Sequence, residues 1–373
     1  MNLLKGLLLL WMLLLVACTQ LGELERAEEL AGEIFIGEVS VTDKDFARKI
    51  SPTLFVEGDY IVICWEQGNI ELGQNAIYCA ESSDDGLSFS TKGLPVFSKP
   101  GWRLFPNKVW TQGDQLVLQV VEIDLQVFDQ YDATLGEFFG DSSNDHVFYR
   151  KIYLNKNSLQ LEKIGEIEWQ VFYGSPMVNI VTSDGTQILP AYEYNRDFSS
   201  KNKIEIFIYV KNREGVVSKI EIPNSTGVKL AEPSVVEISP NRLWCFARSF
   251  GTGYIYYSES FDGGSTWSDF TPTSITSPSS ISKLIKDEYG RVYLIYNNIF
   301  SLSQGPRNSL DLAKLNENME IEQEINLLYS TEDFFSNFQV TVNSDEFYIV
   351  FQQLDRIRED GLQLDAIKLL KLK

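Results

Sequence analysis

The sequence predicts an all-β protein built as a single six-bladed β-propeller, and three observations predict it. A cluster of turn residues followed by an apolar strand recurs six times, spaced roughly 50 to 70 residues apart, about what a four-stranded blade with its loops requires. The stretch Ser260-Phe-Asp-Gly-Gly-Ser-Thr-Trp267 has a looser copy in Ser82-Ser-Asp-Asp-Gly-Leu-Ser-Phe89, and each follows an apolar run bearing tyrosine. Beyond the N-terminal region, no long stretch carries a sustained helical period. A β-sandwich would also give regular strands, but repeats of similar length with recurring turn signatures favour the propeller.

In chain order, residues 1–17 read as a signal peptide: Lys5 precedes the apolar run Leu7 to Ala17, which is too short for a comfortable membrane span. Leu15-Val-Ala-Cys18 resembles the bacterial lipobox, which implies lipidation of Cys18 as the mature N-terminus; an ordinary signal peptide with a chance Cys is the alternative. Several acyl chains on Cys18 would anchor far more firmly than one. Thr19, rather than Asp, after the Cys implies the outer membrane by resemblance to bacterial lipoproteins. Residues 18–33, with Glu23, Glu25, Glu28 and Glu29, read as an acidic tether.

Residues 34–373 are the expected propeller. The six strands are Tyr60–Trp65 after Gly58-Asp59, Leu116–Val121 after Gly113-Asp114, Ile188–Tyr192 after Asp184-Gly185, Leu243–Phe246 after Pro240-Asn241, Val292–Tyr296 after Tyr289-Gly290, and Phe347–Phe351 after Ser344-Asp345. The segment Glu122 to Asp145 reads as an insertion over one face.

A chain that is 44% hydrophobic and 13% aromatic can build a large core. Its formal charge of −20 argues against nucleic acid or an anionic membrane surface as partner, although a local arginine cluster still admits an anionic sugar. Cys64 and Cys79 lie on successive predicted strands and could pair in an oxidising compartment; three buried thiols, with Cys245, is the simpler expectation. There is no Cys/His metal spacing and no cofactor is expected; His146, in an Asp-rich loop, reads as solvent-exposed.

The stretch Ser260–Trp267 matches the Asp-box, Ser-x-Asp-x-Gly-x-Thr-Trp, at every specified position, and from about Phe46 to Leu372 the chain resembles the sialidase-like (BNR/Asp-box) family. The box chemistry is structural. Ser260 opens it, Asp262 accepts from turn amides, Gly264 supplies backbone freedom, Thr266 closes the turn, and Trp267 covers the hairpin end; Asp84 and Gly86 are the counterparts in the looser copy. The resemblance is strongest from Glu232-Pro-Ser-Val-Val-Glu237 through Asn241–Arg248, the Asp-box, Ser277-Pro-Ser279 and Gly290–Asn297 to Gly305-Pro-Arg307-Asn-Ser-Leu310.

In sialidases three arginines clamp the sugar carboxylate, a Glu activates a Tyr nucleophile, and an Asp acts as acid/base. The resemblance implies Arg248 and Arg307 as clamp members and Glu232 as the base. Three positions depart. The family's Arg-Ile-Pro is replaced by Lys49-Ile-Ser-Pro52, with Arg48 just before it. The acid/base region, Glu66 to Asn75, holds no Asp, leaving Glu71; Glu193 is a further candidate acid. The nucleophile segment reads Phe334-Phe-Ser-Asn337-Phe338, with no phenol.

Each candidate also has a plain structural reading. Arg248 could cap a strand end or pair with Glu232, Arg307 could be a solvated loop residue, and Tyr192, Tyr194 and Trp102 fit core or rim better than a sugar platform. The sequence therefore supports a membrane-anchored sialidase-like protein acting on glycans with an acidic sugar, hydrolysing terminal sugars with a degenerate catalytic set. A non-catalytic propeller that binds glycan or protein, or an assembly lipoprotein, are the alternatives.

Overall fold

The six apolar segments are the second strands of six four-stranded antiparallel sheets. In this computed structural model, the structure describes residues 35–42, 49–69, 74–90, 93–124, 131–132, 137–138, 146–172, 177–195, 203–298, 307–343, 345–355 and 365–372. Blade 1 is Lys49–Glu57, Tyr60–Asn69, Gln74–Ser82 and Leu94–Ser98. Blade 2 is Trp102–Gln112, Gln115–Asp124, His146–Asn155 and Leu161–Phe172, and blade 3 is Ile180–Val181, Gln187–Asn195, Lys203–Lys211 and Val217–Glu221. Blade 4 is Leu230–Ser239, Arg242–Ser249, Tyr254–Ser260 and Thr271–Thr276, and blade 5 is Lys283–Lys286, Val292–Tyr296, Ser309–Leu315 and Ile321–Tyr329. Blade 6 takes Asp333–Asn343, Glu346–Asp355 and Asp365–Leu372 from the end of the chain and its outer strand, Phe35–Ser40, from the beginning. That pairing of the two ends of the chain closes the ring.

The first strands of blades 4, 5, 6, 1 and 2 touch one another in that order and so line the axis. The second strands are buried on both faces, which is why they read as continuous apolar runs rather than alternating ones. Trp244 and Phe246 pack toward blade 5, while Leu243, Cys245 and Ala247 pack toward blade 3. Likewise Val62 and Cys64 face blade 2, while Ile61, Ile63 and Trp65 face blade 6. The core is thus six apolar wedges, one between each pair of blades, rather than a single central cluster.

Cys64 and Cys79 stand directly opposite each other on the second and third strands of blade 1 and form a disulfide, with Cα atoms 4.1 Å apart. This corrects the expectation of three free thiols: cross-strand register brings the two together, and among the described residues only Cys245 remains a buried thiol. The expected insertion begins later than predicted. Glu122 to Asp124 finish a strand, and Tyr131–Asp132 pairs with Glu137–Phe138 in a short hairpin. His146 opens a strand of blade 2, and its side chain lies outside the described residues. The signal peptide, the tether, Cys18, Arg48 and Glu71 also lie outside them.

Candidate functional site

The inner strands carry a repeated defect at one end. Register breaks between Ile50 and Thr53, Pro106 and Lys108, Ala231 and Ser234, and Ser336 and Gln339. Ser51, Glu232 and Asn337 take left-handed backbone at these bulges, with φ of 52°, 52° and 47°, and Ser279 does so ahead of the inner strand of blade 5, with φ of 53°. None is glycine, so each position carries steric strain of about 1 kcal/mol or more. Bulges of this kind re-aim a side chain, and inner strands tolerate the prolines beside them (Pro52, Pro106 and Pro233) because their free edge needs no ladder donor.

The bulge of blade 4 aims Glu232, and the neighbouring second strand places Arg248 beside it, where Ala231 is the cross-strand partner of Arg248. Arg248 Nη1 lies 2.9 Å from Glu232 Oε2, and both side chains are about one-sixth exposed, at 16% and 17%. The approach is not along a hydrogen-bonding direction: Glu232 Oε2 and Arg248 Nε are both buried without a hydrogen-bond partner. Arg248 also covers the exposed ring of Phe250, its Cζ 4.6 Å from the centroid.

Arg307 reaches the same place from blade 5. Its backbone is left-handed at φ 71°, its Nη1 donates to Ser336 Oγ at 3.2 Å, and its Nη2 donates to the Ser279 carbonyl at 3.3 Å. Burial and the nearby charge of Arg248 push its pKa down, and Glu232 opposes them. Asn297, fully buried, fastens this corner by bonding Ser280 and the carbonyls of Ser309 and Phe335. Lys283, the first residue of the inner strand of blade 5, is 7% exposed, and Glu232 is the charge that acts on it.

Elsewhere around the axis several polar groups hold one another, although Asn75 Oδ1 is also buried without a hydrogen-bond partner. Lys49 is buried: its amide donates to Asp365 Oδ2 at 3.2 Å, and its ammonium donates to the Asp365 carbonyl at 3.3 Å. Gln352 Nε2 donates to the same Asp365 oxygen, and Asn337 Nδ2 donates to Gln352 Oε1 at 2.6 Å. Glu66, within the segment expected to supply the acid, is fully buried, accepts from Asn75 at 2.8 Å and pairs with Arg103 at 3.2 Å. In blade 2, Asn107 bridges Gln119 and the Met177 carbonyl.

The structure therefore brings Glu232, Arg248 and Arg307 together, and it turns Lys49 toward Asp365. Glu193 bonds Tyr209 and Lys219, on the third and outer strands of its own blade. Tyr192 is core between blades 3 and 4, the Tyr194 side chain lies outside the described residues, and Trp102 is half-buried beneath the Lys99 ammonium. In the nucleophile segment, Phe335 is buried edge-on to Phe351, with ring centroids 5.8 Å apart, and Asn337 is held by Gln352. Sequence reasoning missed Lys283, Arg103, Ser336 and Asp365. The available signals were a lysine inside the run Ile281-Ser-Lys-Leu-Ile285 and prolines inside otherwise regular strands.

The Asp-boxes lie at the opposite end, on the turns after the third strands. In the full box, Thr266 N and Oγ1 donate to Asp262 at 2.8 and 2.6 Å, Gly264 N donates to Ser260 Oγ at 2.8 Å, and Trp267 Nε1 donates to the Gly264 carbonyl at 3.0 Å. The looser copy repeats the pattern through Ser82, Asp84, Gly86 and Ser88. A cleft of 580 Å³ opens beside that copy, lined by Tyr60, Glu81, Phe89 and Lys156 among others, and shares no residue with the arginine cluster. Among the described residues, no group of His, Cys, Asp and Glu side chains forms a candidate metal centre.

The sequence profile of the BNR repeat-like domain matches residues 142–349. No curated protein matches the chain. Among solved structures, a protein of unknown function from Dyadobacter fermentans is similar at 12% identity, with 91% of this chain and 100% of that one covered and a TM-score of 0.65. The NanB sialidase of Streptococcus pneumoniae is similar at 12% identity, with 91% and 70% covered and a TM-score of 0.58. A Hadza microbial sialidase is similar at 12% identity, with 87% and 65% covered and a TM-score of 0.57. At such identities these likenesses establish the shared propeller fold.

Proposed function

The chain belongs to the BNR repeat-like domain family, and from that premise we propose that it is an exported, membrane-anchored propeller that binds glycans carrying an acidic sugar. The observation that carries this reading is the convergence of Arg248 and Arg307, from two different blades, on the strained Glu232, in a chain whose overall formal charge is −20. Guanidinium forks suit a carboxylate because they are planar, permanently charged and able to donate two parallel hydrogen bonds. A buried arginine nitrogen without an acceptor is a donor held ready for a ligand oxygen.

Recognition is favoured over turnover. Tyrosine-mediated retaining hydrolysis needs a phenol beside the glutamate, and this segment offers the buried Phe335 and the engaged Asn337 instead. Hydrolysis by another route has one observation in its favour, the Glu232 oxygen left free of hydrogen bonds, which suits a general base. Lipidation of Cys18 and attachment to the outer membrane belong to the same reading. The Cys64–Cys79 disulfide supports passage through an oxidising compartment.

Glycan-array binding by the full chain, beside an Arg248→Ala control, tests the recognition reading. Acidic glycans are expected among the ligands of the parent protein and absent from those of the variant. Turnover of a fluorogenic sialoside that disappears in Glu232→Gln would replace recognition with hydrolysis. Release of Cys18→Ala from the membrane fraction is the expected outcome for the anchor.

A further inference from the structure

We propose that Lys283 is the third cation of the anion site, taking the part that the resemblance assigns to Lys49, and that it contacts the carboxylate of the bound sugar; this rests on the acidic-glycan reading above.

The argument begins with where each lysine is committed. Lys49 occupies the position of the family's first arginine, yet its ammonium is tied to the Asp365 carbonyl. Lys283 is 7% exposed, and its ammonium makes no hydrogen bond or ion pair among the described residues. Its place in the chain sets it at the tie between blades 4 and 5, where Glu232 acts on it. It follows by four residues Ser279, whose carbonyl holds Arg307, and it precedes Leu284, whose amide donates to Ser234 Oγ at 2.9 Å. Ser234 ends the bulge that aims Glu232, so blades 4 and 5 are tied together directly next to Lys283.

Charge accounting points the same way. Among the described residues, Arg248, Arg307 and Lys283 share one carboxylate, Glu232, which acts on all three. Three cations against one anion leave a surplus of two positive charges in a largely buried corner. Burying an unmatched charge is costly, and an incoming carboxylate would relieve the cost. Burial also lowers the Lys283 pKa to about 8 against the pull of Glu232, so an unliganded site holds this charge weakly and a bound anion would restore it.

The test uses the full chain in detergent with two probes, the methyl α-glycoside of N-acetylneuraminic acid and its C1 methyl ester, titrated at pH 7. Lys283→Met is expected to weaken the acid by about tenfold or more, leave the ester's affinity unchanged, and keep or raise the melting temperature because a buried charge is gone. Lys283→Arg is expected to stay within about threefold of the parent for the acid, since the charge survives. A folded Lys283→Met that binds the acid as the parent does, or that loses acid and ester equally, would overturn the assignment. If the parent binds neither probe, thermal stabilisation by inorganic sulfate decides. Stabilisation that vanishes in Lys283→Met keeps the third cation and sinks the glycan reading, whereas stabilisation that persists in Lys283→Met, or none in the parent, sinks the cation site as well.

Discussion

Blade 4 has two ends that obey opposite rules. At the Asp-box end the side-chain polar groups of the box are satisfied within its own eight residues. Asp262 takes its donors from Ser260 and Thr266, and Gly264, at φ 94°, supplies a conformation that a side chain could not, because a Cβ there would lie 3.2 Å from Leu243 Cδ1. At the bulge end, non-glycine residues carry the left-handed backbone, Glu232 and Arg248 keep buried atoms without hydrogen bonds, and the partners come from blades 5 and 6. Locally closed chemistry builds the fold. The open, strained and charge-unbalanced end is where a ligand has something to add.

Five measurements would break or sharpen that contrast. The largest effect is expected from Arg248→Ala. It removes a member of the proposed clamp and the ion-pair partner of Glu232, so acidic-sugar affinity should fall about a hundredfold and stability by on the order of 3 kcal/mol. Isothermal titration and urea unfolding read the two losses separately; intact affinity would mean that the bulge end is merely structural. Removing the blade 1 disulfide with Cys64→Ala and Cys79→Ala together should cost about 3 kcal/mol for a loop with a sequence separation of 15, without changing ligand affinity. Next comes Asp262→Ala, which strips the acceptor from the full Asp-box. It should cost about 2 kcal/mol in unfolding experiments and again leave binding unchanged; a binding loss would show that the two ends are coupled.

The smallest effects are in pH. Lys283 is a base whose folded pKa, about 8, lies below the ordinary 10.5. Its cost to the free protein is therefore fully present below about 8 and lifts as pH rises toward 10.5. Anion affinity should fall over the same window, and the fall should be absent in Lys283→Arg. The Asp-box behaves inversely. Hydrogen bonds from Ser82 and Ser88 hold Asp84 at about 2 rather than 3.8, so its contribution to stability is present above 3.8 and lost as pH falls toward 2. Melting curves of Asp84→Asn against the parent across that range should converge at the acid end.

The blades were legible because the information is short-ranged. Val292–Tyr296 was predicted to the residue, and the other five second strands lie inside their observed bounds, since burial on both faces forces an unbroken apolar run. Both Asp-boxes were legible for the same reason: their hydrogen bonds close within a few residues. The expectation of free thiols at Cys64 and Cys79 failed because pairing depends on cross-strand register, which hydrophobic pattern alone does not specify.

The site was legible only as an order of residues. Glu232, Arg248 and Arg307 could be named, but nothing local states that closing the ring brings them together, that Lys49 turns to Asp365 some three hundred residues away, or that the charge of Glu232 acts on Lys283, whose ammonium makes no hydrogen bond among the described residues. By itself the sequence determined the six blades and their turns, because strand burial and turn closure are decided among near neighbours. The tertiary structure alone decided which charges meet on the axis and which stay unmatched, because Coulomb interaction and desolvation depend on distance and burial across blades.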